Sequence, residues 1–154
     1  MASRGSIIPY FKSLVNEKYF PITHLDMTRF FLSIQDAVKF SCFGMINMMG
    51  GEIFVKKIKS IKITDLAKSI KYDAKFKVTG IRPGEKIHEQ MIGSDESMNT
   101  VEHKNHYEIL SNLSEKMKRI KKGYKSVDKK FVFSSETAKK FSIKEFKKIS
   151  KNLD

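Results

Sequence analysis

The stretch Ile81–Met91, Ile-Arg-Pro-Gly-Glu-Lys-Ile-His-Glu-Gln-Met, restricts its own backbone more than any other part of the sequence. Proline fixes its φ and steers the preceding residue out of the helical region, so Pro83 holds Arg82 extended. Gly84 then lets the chain turn where a Cβ would be strained. Beyond the turn, Ile87 and Met91 have the i, i+4 spacing of neighbours on one helix face, which predicts a short amphipathic helix opening at Glu85 and Lys86. Arg82 and Glu85 would stand at its entrance. The pair has two meanings. An Arg and a Glu three apart near a helix start commonly form a surface ion pair of little energetic weight. Alternatively they clamp a ligand, since a guanidinium fork matches two phosphate oxygens and a carboxylate accepts from adjacent hydroxyls such as those of a ribose.

Around this stretch the chain alternates helical and extended patterns. Ser6 can cap a helix carrying Ile7, Ile8, Phe11, Leu14 and Val15, with Pro9 tolerated in its first turn and an end near Lys18. Met27–Leu32 reads as a strand in which Arg29 faces solvent. Ser33 caps a second helix, with Asp36 in its first turn. There Ile34, Ala37, Val38, Cys42, Met45, Met48 and Met49 recur at threes and fours, which assigns them to a core face with methionine as flexible filler. A strand over Glu52–Val55, a helix from Thr64 to Ile70, and strands at Phe76–Val78 and Tyr107–Leu110 complete an α/β pattern. Later, Leu113, Met117 and Ile120 keep helical spacing, Phe131–Phe133 suggests an edge strand, and Ser142-Ile143-Lys144-Glu145 has the form of a capping box.

Charge and composition narrow the classes. A chain of 154 residues can bury a real core as one domain. Its net charge of +13 invites a nucleic-acid partner. However, the stretch from Ser111 to Asp154 holds thirteen lysines and one arginine against five carboxylates. Lysine dominates there, few aromatics are interleaved, and no helix-turn-helix, zinc-finger or RNA-recognition signature appears, so a solvated helical extension is favoured over nucleic-acid binding. No apolar run is long enough to span a bilayer and the N-terminus lacks a signal-peptide core, which argues against a membrane protein and for a cytoplasmic one. The single cysteine, Cys42, reads as a small core residue. His103 and His106 lack a third ligand at suitable spacing, so no metal is assigned and a solvated pair is expected.

Four blocks in one order carry a resemblance: Ser3-Arg4-Gly5-Ser6-Ile7-Ile8-Pro9; Pro21-Ile22-Thr23 leading to Met27-Thr28-Arg29-Phe30; Gly50-Gly51-Glu52-Ile53-Phe54-Val55; and Gly80-Ile81-Arg82-Pro83-Gly84-Glu85-Lys86 with His88-Glu89. Together they resemble the C-terminal half of the inverting UDP-N-acetylglucosamine 4,6-dehydratases, in the polysaccharide-biosynthesis branch of the extended short-chain dehydrogenase/reductases. One departure is Lys56, where the family commonly has proline. The resemblance implies an α/β fold that is the substrate-binding portion of such an enzyme, without the Rossmann cofactor half. It divides the chain into residues 1–110, which bind a nucleotide sugar, and a lysine-rich, mainly helical extension over 111–154.

The same resemblance implies the site. Arg29 and Arg82 would neutralise the diphosphate of a UDP-sugar, Glu85 would hold the ribose hydroxyls, and Ile7, Ile8, Pro9, Tyr10 and Phe11 would wall the uracil. The parent activity would be an NADP-dependent lyase reaction: oxidation at C4, loss of the C6 hydroxyl and return of hydride to C6, with inversion at C5. The sequence contains neither a glycine-rich turn for the cofactor pyrophosphate nor a Tyr-x-x-x-Lys pair. The expectation is therefore a substrate-binding half without catalytic residues, inactive alone, with the NADP domain on a separate chain as one arrangement and a homo-oligomer compatible with the family. A basic nucleic-acid module or a structural interaction domain are the competing classes.

Overall fold

The structure, a computed structural model, describes residues 7–151. In chain order its elements are α1 (Ile7–Ser13), β1 (Phe20–Ile22), β2 (Thr28–Phe30), α2 (Ile34–Asn47), β3 (Ile53–Lys56), β4 (Ser60–Lys62), α3 (Ile63–Ile70), β5 (Phe76–Val78), β6 (Gln90–Ile92), β7 (Thr100–Glu102), β8 (His106–Ile109), α4 (Leu113–Lys121), β9 (Lys125–Ser126), β10 (Phe133–Ser134) and α5 (Ile143–Lys151). The expected α/β class is what forms. Packing gathers the chain into two compact units, where the length alone suggests one domain. The first holds residues 1–32, 59–89 and 139–154, the second 33–58 and 90–138. The stretch after Ser111 contributes to both, so the change of composition near residue 110 is not where the packing divides.

In the first unit, apolar periodicity explains the core. Along α3, Ile63, Leu66 and Ala67 are buried and Ile70 packs beside them, the i, i+3, i+4, i+7 stripe of an amphipathic helix. The helix packs against α1 and α5. β1 lies parallel to β5 with Phe20 opposite Phe76, and β2 lies antiparallel to β4 with Arg29 opposite Ile61. Edge-to-face rings close the core: Phe11 meets Phe20 at 5.4 Å and Phe31 meets Phe146 at 4.9 Å. The capping box at Ser142 forms in full. Glu145 donates its N–H to Ser142 Oγ at 3.2 Å, and Glu145 Oε2 accepts from the Ser142 N–H at 2.9 Å. A salt bridge from Lys59 Nζ to Glu145 Oε1 at 3.0 Å adds to it.

Two expectations change here. α1 ends at Ser13, short of Lys18: Leu14 and Val15 donate to carbonyls three residues back, and Ser13 Oγ donates to Tyr10 O at 2.7 Å, so the last turn tightens and stops. The proposed cap Ser6 lies outside the described residues. The helix expected over Glu85–Met91 does not form. Residues 83–84 make a turn, 87–88 a bend, and Gln90–Met91 enters β6, because the segment's peptide groups are used by other segments.

The second unit is built on an antiparallel sheet in the order β3-β8-β7-β9, with Phe54 opposite Glu108 and Lys56 opposite His106. All four residues of β8 are buried, so its sequence lacks the alternation of a one-faced strand. β6 and β10 form a separate antiparallel pair. Ser33 caps α2 as expected, accepting from the Asp36 N–H at 3.0 Å. The face of α2, however, is reversed from expectation. None of its residues is buried; Cys42 is exposed, as are Met45, Met48 and Met49. Phe40, Phe43 and Gly44 make the approach instead, with Phe43 at 5.9 Å from Phe54 and 5.1 Å from His106. At 100° per residue this stripe lies well around the cylinder from Met45 and Met49, and its aromatic rings make the contact with β3 and β8.

Glu108, 2% exposed, is the most deeply buried charged side chain of this unit among the described residues. Arg119 Nη2 donates to it at 2.7 Å and His103 Nε2 lies at 2.9 Å, which ties α4 to β8. Removing one partner of a buried pair leaves a charge without compensation, so Arg119→Ala should lower unfolding free energy by about 3–5 kcal/mol in urea titration. A second prediction concerns acid. The Ser142 backbone and then the Lys59 ammonium hold the Glu145 carboxyl down at about 2, against 4.5 in an ordinary glutamate. A depressed carboxylate contributes stability above its unfolded pKa and loses it as pH falls. The difference in melting temperature between wild type and Glu145→Gln should be full at pH 7 and shrink from about pH 4.5 towards 2.

Candidate functional site

Arg29 stands in the middle of β2, and the segment after Gly80 is drawn alongside that strand. The Thr28 N–H donates to the Ile87 carbonyl at 3.1 Å, and Arg29 Nη1 donates to the same oxygen at 3.0 Å and to Thr28 O at 2.8 Å. Below them, Thr28 Oγ1 and His88 Nδ1 are 2.8 Å apart. The strand therefore fixes the loop and the loop fixes the guanidinium.

The turn at Pro83-Gly84 sets the other side. Glu85 N–H donates to Arg82 O at 3.0 Å and Gly84 has φ +77°, the values of a type II turn with proline and glycine at its two central positions. Glu85 Oε2 accepts from the Arg82 N–H at 3.2 Å. Its other oxygen lies 3.8 Å from Arg29 Nη2, while Glu89 Oε1 lies 3.5 Å from Arg29 Nε. Charge-assisted hydrogen bonds are shorter, about 2.7–2.9 Å, so both carboxylates sit loosely on Arg29 and an incoming anion can exchange with them. Arg82 is exposed, and its guanidinium has no carboxylate partner among the described residues.

Three of the residues singled out in the sequence, Arg29, Arg82 and Glu85, are thus linked at one corner of the first unit. The group from α1 divides. Ile8 and Phe11, 4% and 1% exposed, are core residues packed with Phe20 and Leu66 and present no surface to a base in this conformation. Pro9 and Tyr10 are exposed and Ile7 is half-buried. Glu89 and His88 were not singled out, although both belong to the block that carries the resemblance. Their contacts arise from a loop crossing a strand, which no helical spacing reveals. Nearby, Asp26 makes a salt bridge to Lys62 Nζ at 2.8 Å, and that hydrogen bond holds its carboxyl below the usual range.

A dinucleotide cofactor needs a glycine-rich turn joining a strand to a helix. Among the described residues no strand runs through such a turn into a helix: Gly50 and Gly51 precede β3, and Gly80 and Gly84 lie in the loop just described. Such a turn is not found among the described residues, and the groups gathered at this corner are of the kind that suits an anion and hydroxyls. No cluster of three metal-ligating side chains and no helix long and apolar enough to cross a membrane occurs among the described residues.

Known proteins share this arrangement of elements. A crystal structure of Pen from Bacillus thuringiensis superposes with a TM-score of 0.79 at 27% identity, over 100% of this chain and 46% of that one. The fold is accordingly a portion of the α/β class to which short-chain dehydrogenase/reductase-type epimerases and dehydratases belong. The chain belongs to the polysaccharide biosynthesis protein family, whose profile matches residues 1–111. An inverting UDP-N-acetylglucosamine 4,6-dehydratase of Campylobacter jejuni is 42% identical over 153 residues, covering 88% of this chain and 46% of that protein. A UDP-glucose 4-epimerase of Rickettsia bellii is 32% identical over 161 positions, covering 100% and 47%. The chain spans about half the length of these relatives.

Because a Cβ at Gly84 would meet no atom within 4 Å, the cost of Gly84→Ala is the left-handed backbone alone. That cost is about 1–2 kcal/mol. Chemical denaturation should show this loss, and Pro83→Ala a smaller one.

Proposed function

We propose that this chain forms the UDP-sugar-binding portion of a C5-inverting UDP-N-acetylglucosamine 4,6-dehydratase, a lyase of surface-polysaccharide or flagellin-sugar synthesis in the cytoplasm. The observation that carries the reading is the linkage of Arg29, Glu85 and Arg82 across the Pro83-Gly84 turn, in a chain 42% identical to a dehydratase of that name. Arg82 offers a guanidinium with no carboxylate partner among the described residues and Arg29 a loosely paired one, which together suit a diphosphate. Glu85 then exchanges its contact with Arg29 for the ribose hydroxyls. Pro9 and Tyr10 offer apolar surface to the uracil, with Ile7 beside them, while Ile8 and Phe11 anchor α1 beneath. These residues bind and orient; none moves a proton. The NADP-binding region of the enzyme is assigned outside these residues, on the same polypeptide or on a partner chain, and the 154 residues alone are inactive. A homo-oligomer is compatible with this reading.

Calorimetric titration with UDP and UDP-N-acetylglucosamine tests it. Hydrogen bonds to a charged group contribute about 1.5–3 kcal/mol, so Arg82→Ala should weaken binding roughly tenfold to a hundredfold, with UDP preferred over inorganic pyrophosphate at both low and high salt. A folded wild-type chain that binds neither UDP nor the sugar nucleotide would end the proposal. Equal uptake of any polyanion, steeply lost with salt, would favour a nucleic-acid surface instead.

A further inference from the structure

The second unit contains a pocket of about 820 Å³ that the UDP-sugar reading does not use. Its size lies within the range of roughly 300–1,000 Å³ typical of small-molecule sites. Aromatic rings form its walls. His103 and His106 stack at 4.2 Å with 12° between their planes, Tyr124 lies 4.5 Å from His103, and Phe40 and Phe43 from α2 stack at 5.9 Å. The histidines, expected to be solvated, are instead a built surface. His103 is held by the buried Glu108, itself fixed by Arg119. Burial, and then the neighbouring His103, bring the His106 imidazole down to about 4, so its ring is neutral near pH 7.

The cations lie around these rings. Lys39, Lys56, Lys57, Lys104 and Lys125 line the pocket with one carboxylate, Glu102, which already pairs with Lys57 at 2.5 Å. Lys56 Nζ sits 5.2 Å over the Phe40 ring. Lys39, Lys104 and Lys125 have no carboxylate partner among the described residues. A solvated lysine face needs no aromatic pocket, and an apolar ligand would leave these ammonium groups uncompensated. A ligand with a flat ring at one end and phosphate-like charge at the other satisfies both, by stacking on the rings and pairing with the lysines.

We infer that this pocket binds a small anionic ligand carrying an aromatic ring, of the nucleotide type, at a site separate from the Arg29 corner. The four histidines of the chain make the test selective. His24 and His88 lie in the first unit and His103 and His106 in the second. Histidine ring signals are followed by NMR while the full chain is titrated with ADP, and in parallel with pyrophosphate, with adenosine and with a short single-stranded oligonucleotide.

The expected result is a saturable shift of the His103 and His106 signals with ADP. It should be weakened tenfold or more by Lys104→Ala and by Tyr124→Ala, both exposed positions, and unchanged by Arg82→Ala. Pyrophosphate or adenosine alone should bind at least tenfold more weakly. The inference is overturned if those two signals stay fixed at millimolar ADP, if both pocket variants respond as wild type, if pyrophosphate matches ADP, or if only the oligonucleotide binds. Loss of the response in Arg82→Ala would likewise assign the ligand to the first unit. Failure of UDP binding at the Arg29 corner would be read from His88 and leaves this outcome independent.

Discussion

One carbonyl oxygen organises the corner of the first unit around Arg29. The Ile87 carbonyl accepts from the Thr28 peptide N–H and from the Arg29 guanidinium together, so a single acceptor fixes the path of the loop and the direction of the cation. Peptide groups left without partners are costly, and this one is satisfied twice from one strand. β2 is in turn paired with β4, which runs directly into α3, the helix whose apolar stripe fills the core. The corner therefore inherits its position from the most deeply buried helix of the unit. Glu85 and Glu89 face Arg29 at ion-pair distances of 3.8 and 3.5 Å, longer than the hydrogen bonds that hold the backbone there.

The second unit uses charge in the opposite manner. Glu108 is sealed inside and its partners Arg119 and His103 are committed to it at hydrogen-bond distance. Such a pair adds little net stability compared with apolar packing, but breaking it is severe, so it serves to fix orientation. What it orients is His103, and through ring stacking His106. The lysine bias that looked like a property of a solvated tail is thus distributed in space: Lys116 is buried with its ammonium on the Met98 carbonyl at 2.7 Å, while Lys125 borders the aromatic pocket.

Local signals in the sequence were legible where local contacts decide the structure. The Ser142–Glu145 box, the Ser33 cap, the helix ending at Ile70 and the Arg-Pro-Gly-Glu turn each involve groups within a few residues, and each forms. The i, i+4 spacing of Ile87 and Met91 failed because β2 captures the Ile87 carbonyl, an acceptor a helix would have used. α2 shows a subtler failure. Its periodicity was real, yet the stripe that approaches the sheet is Phe40, Phe43 and Gly44, chosen by what β3 and β8 present rather than by hydrophobicity along the helix. The resemblance singled out Arg29, whose neighbours in sequence describe an ordinary strand residue. It also named Ile8 and Phe11, which the core has taken. The histidine pair was invisible as a surface, since its meaning depends on Glu108 and on rings from α2 and the segment after α4.

The chain passes between its two units at residues 32–33, 58–59, 89–90 and 138–139, and this threading has a consequence for biosynthesis. Phe31 contacts Phe146, so the first unit cannot complete its core until nearly the whole segment has left the ribosome. The second unit, bounded by residues 33 and 138, has all its parts sooner. Contacts of such long sequence separation slow folding, because the intervening loop must be closed before burial compensates. During that interval α3 lacks the helix α5 that packs against it, and apolar surface exposed in this way favours aggregation of the nascent first unit.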